Sequence, residues 1–305
     1  MKSACLWMFP AFVAAACGCD VSAPDPRTSG YMYEDTVKLV RLVEDAAARI
    51  EKHGTAAFRE FAVKDSRWFN RYNYLFVYSP AGVSLFHPLL PDFVGKNLID
   101  FRDIDGRPLI RQIVAVADSP GKDAHGWVFY SWEVPTQFQT VWKSDYVRKA
   151  IAPDGTVMLV GSGSNDIKVE KAFVVDRVAK AARLLQAEGK EKAFKAILDS
   201  SSDYQFLDTR IFVLDSSGRT LVDPALPTFR GRDLSGFRDA IGRPVIKEIM
   251  EKLSTTDEAW AQFLWPRQGA FLPQRKLLYC RKVKVGNEVF YLGLDFHIET
   301  PIWMK

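Results

Sequence analysis

The chain repeats itself at a distance of 136 residues: Phe76-Val77 returns as Phe212-Val213, Gly82 as Gly218, Pro88 as Pro224 and Gly95 as Gly231. The run Phe101-Arg102-Asp103 returns as Phe237-Arg238-Asp239, and Gly106-Arg107-Pro108 as Gly242-Arg243-Pro244. A solenoid unit spans roughly 20–50 residues, so a repeat of this length is a whole domain. Two copies of one fold account for the 305 residues. Further on the offset falls to 133, as in Trp127/Trp260, Trp132/Trp265, Lys143/Lys276 and Tyr146/Tyr279. The second copy therefore lacks three residues around 118–124.

The 48% hydrophobic content is enough for real cores, and a net charge of +4 is spread over interleaved acids and bases. That balance gives no basic stripe for nucleic acid. The N-terminus is a separate object. Lys2 precedes an apolar run, Ala4 to Ala16, too short to span a bilayer. It closes on Ala14-Ala15-Ala16-Cys17-Gly18-Cys19. Small residues directly before a cysteine resemble the lipidation signal of a bacterial lipoprotein, with Cys17 and Cys19 both acceptors. An ordinary signal peptide cut nearby fits the same run. The expected division is a signal segment 1–19, a tether 20–30, a first domain 31–163 and a second domain 164–305. Only Cys280 remains in the folded body, where a lone cysteine is a small buried apolar residue rather than a staple.

Each half opens with a helix, its apolar stripe on Val37, Val40, Val43, Ala47 and Ile50 in the first and Val174, Val178, Ala181 and Leu185 in the second. Gly54 and Gly189 stop these helices, and shorter ones follow. Strands 74–78 and 83–86 flank the turn Pro80-Ala81-Gly82, with 211–214 and 220–222 as their copies. An irregular stretch leads to Pro108 or Pro244 at the start of a further helix. Three strands close each half, with Asp154-Gly155 and Gly286-Asn287 as hairpin signals. Hairpin-linked strands are antiparallel, so the class is α+β: an antiparallel sheet with a long N-terminal helix, twice.

These residues resemble a known family. Tyr-Leu-Phe-Val-Tyr-x-x-x-Gly (74–82), His87-Pro88, Val94-Gly95-Lys96-Asn97-Leu98 and Phe101-x-Asp103-x-Asp105-Gly106 come in order, followed by Gly126-x-x-x-Tyr130-x-Trp132, Lys143-x-x-Tyr146 and Gly161-x-Gly163. The series is similar to the single Cache domains of the second type, which are extracytoplasmic PAS-like sensors. The second half carries a worn version. The resemblance implies a pocket for a small metabolite, often a carboxylate or amino acid; enzyme signatures are missing from the sequence, so neither catalysis nor a cofactor is expected. It also implies a periplasmic location for a lipid-anchored protein. With no second membrane segment or output domain in the sequence, signalling is expected to run through a partner protein.

The expected ligand, a small organic anion, would meet Tyr130 and Trp132 on one strand face and Lys143 with Tyr146. Lys143 and Tyr146 lie three apart and share a cavity only across a bulge. Asp103 either accepts from a ligand or fixes its own loop. His87 is a ligand contact or a turn residue. The weaker counterparts are Asp223, Asp239, Trp265, Lys276 and Tyr279. Because His87 becomes Asp223 and Tyr130 becomes Phe263, the first domain is the expected working site. His53, His87, His125 and His297 show no metal-ligand spacing. Gly161-Ser162-Gly163-Ser164-Asn165 reads as the connector between halves, with Ser164 or Asn165 capping the next helix.

Overall fold

The computed structural model describes residues 25–70, 73–134, 139–266 and 271–298. The sites Cys17 and Cys19 lie outside them. The fold is α+β, with two antiparallel sheets. In the first, strands β1 (Phe76–Tyr78), β2 (Ser84–Phe86), β3 (His125–Val134), β4 (Gln139–Ile151) and β5 (Val157–Ser164) lie in the order β2-β1-β5-β4-β3. In the second, β6 (Gln205–Phe206), β7 (Thr209–Asp215), β9 (Glu258–Trp265), β10 (Gln274–Val285) and β11 (Glu288–His297) run β6-β7-β11-β10-β9, with β8 (Thr220–Val222) beside β7. The second sheet repeats the five strands of the first and adds β6 at its edge.

Helix α1 (Glu34–His53) covers one face of the first sheet. Its buried stripe is wider than the spacing of valines suggests, because Leu39, Leu42 and Ala46 join Val40, Val43, Ala47 and Ile50. Gly54 ends it at φ 57°, ψ −140°, a conformation open to glycine and costly to other residues. The short α2 (Phe58–Phe61) follows, and α3 (Leu109–Ala115) packs on the opposite face through Leu109, Ile110 and Ile113. In the second half α4 (Lys171–Leu198), broken at Gly189, lies on β10 and β11, and α5 (Val245–Thr255) takes the place of α3.

Two local expectations change. The connector 161–165 is largely strand, since β5 runs through Ser164. No Ser164 or Asn165 side chain caps α4; its N-cap is Glu170, which points elsewhere. Residues 25–30, read as tether, fold onto α1: Arg27 pairs with Asp25 at 2.8 Å and with Asp45 at 3.1 Å, and Thr28 is buried.

The halves share one core. Phe173 of α4 packs on Trp127 and Phe129 with ring centroids 4.6 and 5.1 Å away, and Phe129 stacks on Phe206 at 4.7 Å. The fully buried Glu170 carboxylate accepts from the backbone N–H groups of Met32 (2.6 Å) and Tyr33 (3.0 Å) at the start of α1. Buried Arg177 donates to the Trp127 carbonyl at 2.6 Å and pairs with Asp203. Arg107, from the first half, donates to the carbonyls of Ser200 (2.6 Å), Ser202 (2.8 Å) and Gln205 (2.9 Å) beyond α4.

Candidate functional site

The face of the first sheet turned away from α1 carries Tyr74, Phe76, Tyr78, Tyr130, Trp132 and Asp145. Strand alternation puts them there. Tyr130 and Lys143 are register partners on β3 and β4, and Asp145 follows Lys143 two residues on, so all three share that face. The irregular stretch before α3, with His87 at its start, forms the other wall. The cavity between these walls is about 30 Å³, room for little more than water. Beside it runs an open groove of about 990 Å³. Tyr74 and Trp132 line both, and Lys143 and Gly163 face the groove.

The polar groups here are buried and closely set. Asp145 is 1% exposed; its Oδ2 accepts from the Tyr130 hydroxyl at 2.9 Å, while Oδ1 has no partner among the described residues. Burial pushes this carboxyl above its ordinary range, with nearby Lys143 and the Tyr130 bond opposing. Lys143 is also buried; its Nζ donates to the Tyr74 hydroxyl at 2.5 Å and lies 4.5 Å from the Tyr74 ring centroid and 5.5 Å from that of Trp132. Gly163, the register partner of Asp145, makes the room. A Cβ there would stand 1.6 Å from Asp145 Oδ1 and 3.0 Å from Lys143 Cε. His87 Nδ1 accepts from the Leu90 N–H at 3.1 Å. Burial and the Lys143 charge push its pKa down to about 4, so at neutral pH the ring is neutral with its proton on Nε2.

Of the residues expected to form a site, His87, Tyr130 and Trp132 line the cavity, and Lys143 stands at its groove side. Tyr146 does not join them. β4 keeps unbroken register with β3 and β5, so Tyr146 faces α1, where its hydroxyl donates to Glu44 at 2.7 Å. Asp103 is a loop staple: Oδ1 accepts from Asp105 N–H (3.0 Å) and Arg107 N–H (2.7 Å), and Oδ2 from Ser131 N–H (2.8 Å). Its copy Asp239 does the same for Ile241, Arg243 and Leu264. Asp145, Tyr74 and Gly163 are not among the residues expected to form the site. The signal for Asp145 was present: a carboxylate two residues after Lys143 in a strand shares its face.

The second domain rearranges the same device. Register puts Phe263 where Tyr130 stands and Leu278 where Asp145 stands, so donor and acceptor vanish together. The carboxylate reappears across the ladder as Asp295, the partner of Leu278 and counterpart of Gly163, and it pairs directly with Lys276. Asp223, Trp265 and Lys276 line a cavity of about 230 Å³, whereas Tyr279 faces the Trp260 side at a ring distance of 4.8 Å. Asp223 keeps the turn role of His87, accepting from Ala225 N–H (2.9 Å) and Leu226 N–H (2.8 Å).

Two antiparallel sheets of matching core strand order, each helix-covered on one face and loop-covered on the other, define the class. A family model described as a Cache domain, of the dCache_2 kind, matches residues 60–287, and the protein belongs to that family. One model spans both halves together. Cache domains are non-catalytic ligand-binding modules, so this chain is a sensor module and not an enzyme. Among solved structures, the chain is similar to the periplasmic sensor domain of a chemotaxis protein at 22% identity, covering 42% of this chain and 87% of that one, with a TM-score of 0.31. It is also similar to a Cache chemosensory domain described for carboxylic acid recognition, at 19% identity over 41% of this chain and 91% of that one, TM-score 0.35. The periplasmic sensory domain of a Campylobacter jejuni chemoreceptor matches 85% of this chain and 87% of its own at 9% identity, TM-score 0.28.

Proposed function

We propose that this protein is an extracytoplasmic lipoprotein that senses a small amino acid or related carboxylate in its first domain, residues 31–163, and signals through a partner protein. One observation carries the reading. Lys143 and Asp145 sit on one strand face as a cation and a carboxylate that are not bonded to each other, and Asp145 retains a buried oxygen without a partner. A zwitterion matches both: its carboxylate meets Lys143 and its ammonium meets Asp145. In the second domain, residues 164–305, Lys276 is already spent on Asp295. The ligand approaches from the groove side, exchanging the Lys143–Tyr74 bond for its own carboxylate. Lipid on Cys17 or Cys19 would anchor the chain on the periplasmic side.

A thermal-shift screen of amino acids, simple carboxylates and amines on the full chain tests this. A ligand at 100 times its dissociation constant adds ~2.7 kcal/mol of stability. Amino acids are expected to shift the melt most. Lys143→Ala and Asp145→Asn should each weaken their binding about tenfold to a hundredfold, the loss of one charge-assisted bond. Lys276→Ala should leave it unchanged. The small volume of the first cavity favours a second reading, a scaffold that has lost its ligand. That reading wins if no metabolite shifts the melt. Labelling with a palmitate analogue tests the anchor: the label should appear, and should vanish when both cysteines become serine.

A further inference from the structure

The second sheet carries a cavity of its own, in the half that the Lys143–Asp145 site does not use. It is about 230 Å³ in volume and lies between the second sheet and the stretch 223–246. Its walls are aromatic: Phe212, Phe229, Phe237, Phe263 and Trp265. Trp265 and Phe237 pack on each other with ring centroids 5.1 Å apart, which fixes one corner. An engineered apolar cavity of ~150 Å³ takes benzene, so this one has room for a ring and a short chain.

The charges around it do not cancel. Lys276 is committed to Asp295. Asp223 uses one oxygen, Oδ1, to hold the turn at Ala225 and Leu226. Burial, and after it the charge of Asp295, raises the Asp223 carboxyl above its ordinary range against the pull of Lys276, so an incoming cation at Asp223 would favour its ionised form. Arg210 and Asp208 stand elsewhere on the lining and offset each other in sign. We propose that the second domain binds an organic ammonium with an aromatic or branched apolar body, its charge at Asp223 and its body among Phe237, Phe263 and Trp265. An aromatic wall suits such a ligand twice, through burial of the apolar body and through attraction of a cation to ring faces. A small anion, by contrast, meets the Asp223 carboxylate, and the cation that acts on it, Lys276, is already paired with Asp295. The two domains would then read two chemistries, a zwitterion in the first and an apolar amine in the second. The proposal stands apart from the first-domain reading, since it uses none of that site's residues.

The experiment compares phenethylamine with phenylacetate, which has a similar ring and short chain but the opposite charge. Both are titrated calorimetrically into the full chain and into three variants. Phenethylamine is expected to bind and phenylacetate to bind at least tenfold more weakly. Asp223→Asn keeps the Oδ1 acceptor for the turn and removes the charge; it should weaken phenethylamine at least tenfold. Trp265→Ala should weaken both molecules. Asp145→Asn should leave phenethylamine unchanged. The proposal is overturned if phenylacetate binds as well as phenethylamine, if neither binds the wild-type chain, or if Asp145→Asn abolishes amine binding while Asp223→Asn spares it.

Discussion

At residue scale the informative contrast is between the two copies of one sheet face. Tyr130 and Asp145 form a buried hydrogen bond in the first domain, and Phe263 with Leu278 replace both in the second. Losing one partner strands the other, while losing both is nearly neutral. Tyr130→Phe alone should therefore cost ~1–3 kcal/mol in urea unfolding, and Tyr130→Phe with Asp145→Leu less than the sum of the single changes. Additive effects would refute the pairing. Gly163→Ala makes a related test. Its Cβ overlaps the Asp145 carboxylate, so it should cost ~1–3 kcal/mol, and Asp145→Ala should recover most of that loss. His87 supplies a pH signature. Its folded pKa of about 4 lies below the ordinary 6.5, so its stabilisation is present above pH 6.5 and is lost as pH falls towards 4. Between pH 7 and pH 5 the wild type should lose ~2 kcal/mol more than His87→Asn, which keeps an acceptor for Leu90. Alternation puts Tyr130 and Trp132 on one face, and the β3–β4 register, which the sequence does not print, brings Lys143 to that same face. Tyr146 failed because sharing a face with Lys143 required a bulge that the ladder lacks. Asp103 was ambiguous because loop aspartates usually bond their own backbone, which this one does.

The elements themselves follow from pattern and punctuation. The stops at Gly54 and Gly189, the hairpin at Asp154-Gly155 and the helix stripes stand where spacing put them, except that Val37 is only half-buried and Thr36 takes its place. What pattern could not supply is how elements from different halves meet. Arg107 and its copy Arg243 share the Gly-Arg-Pro context, yet Arg107 is buried and reaches three carbonyls beyond α4 in the second half. Arg243 instead pairs at the surface with Glu248. The Arg107 guanidinium also lies 4.7 Å from the centroid of Trp142, and Asp103 is 3.7 Å away. Its fork serves several acceptors at once, which an ammonium cannot reproduce. Arg107→Ala should cost ~3–5 kcal/mol because it strands buried acceptors, and Arg107→Lys should recover only part. Arg243→Ala, exposed and solvated, should cost less than about 1 kcal/mol. Chemical denaturation of the four proteins gives the comparison, and equal losses at the two arginines would remove the distinction.

For the whole molecule, the repeat made two folds visible and hid their dependence on each other. A repeat predicts copies, each with its own core. Here α4 belongs to the second half by sequence but closes the first sheet as well, through Phe173 against Trp127 and Phe129. Glu170 satisfies two backbone N–H groups at the head of α1, whose N-cap Tyr33 supplies no capping side chain. A chain cut at 163/164 loses all of these. The fragment 31–163 would expose Trp127 and Phe129, leave the start of α1 without its acceptor, and strand Arg107. Each aromatic ring uncovered forfeits on the order of 1.5–3 kcal/mol, and a typical domain has only ~5–15 kcal/mol in all. The full chain is therefore expected to melt in one cooperative transition, with calorimetric and van't Hoff enthalpies equal. The fragment 31–163 should be unfolded or molten at 25 °C, and extending it to residue 206 should restore a cooperative melt, because that adds Glu170, Phe173, Arg177 and Phe206 together. Two resolved transitions in the full chain, or a well-folded 31–163 fragment, would show that the halves stand alone and that the shared helix couples nothing.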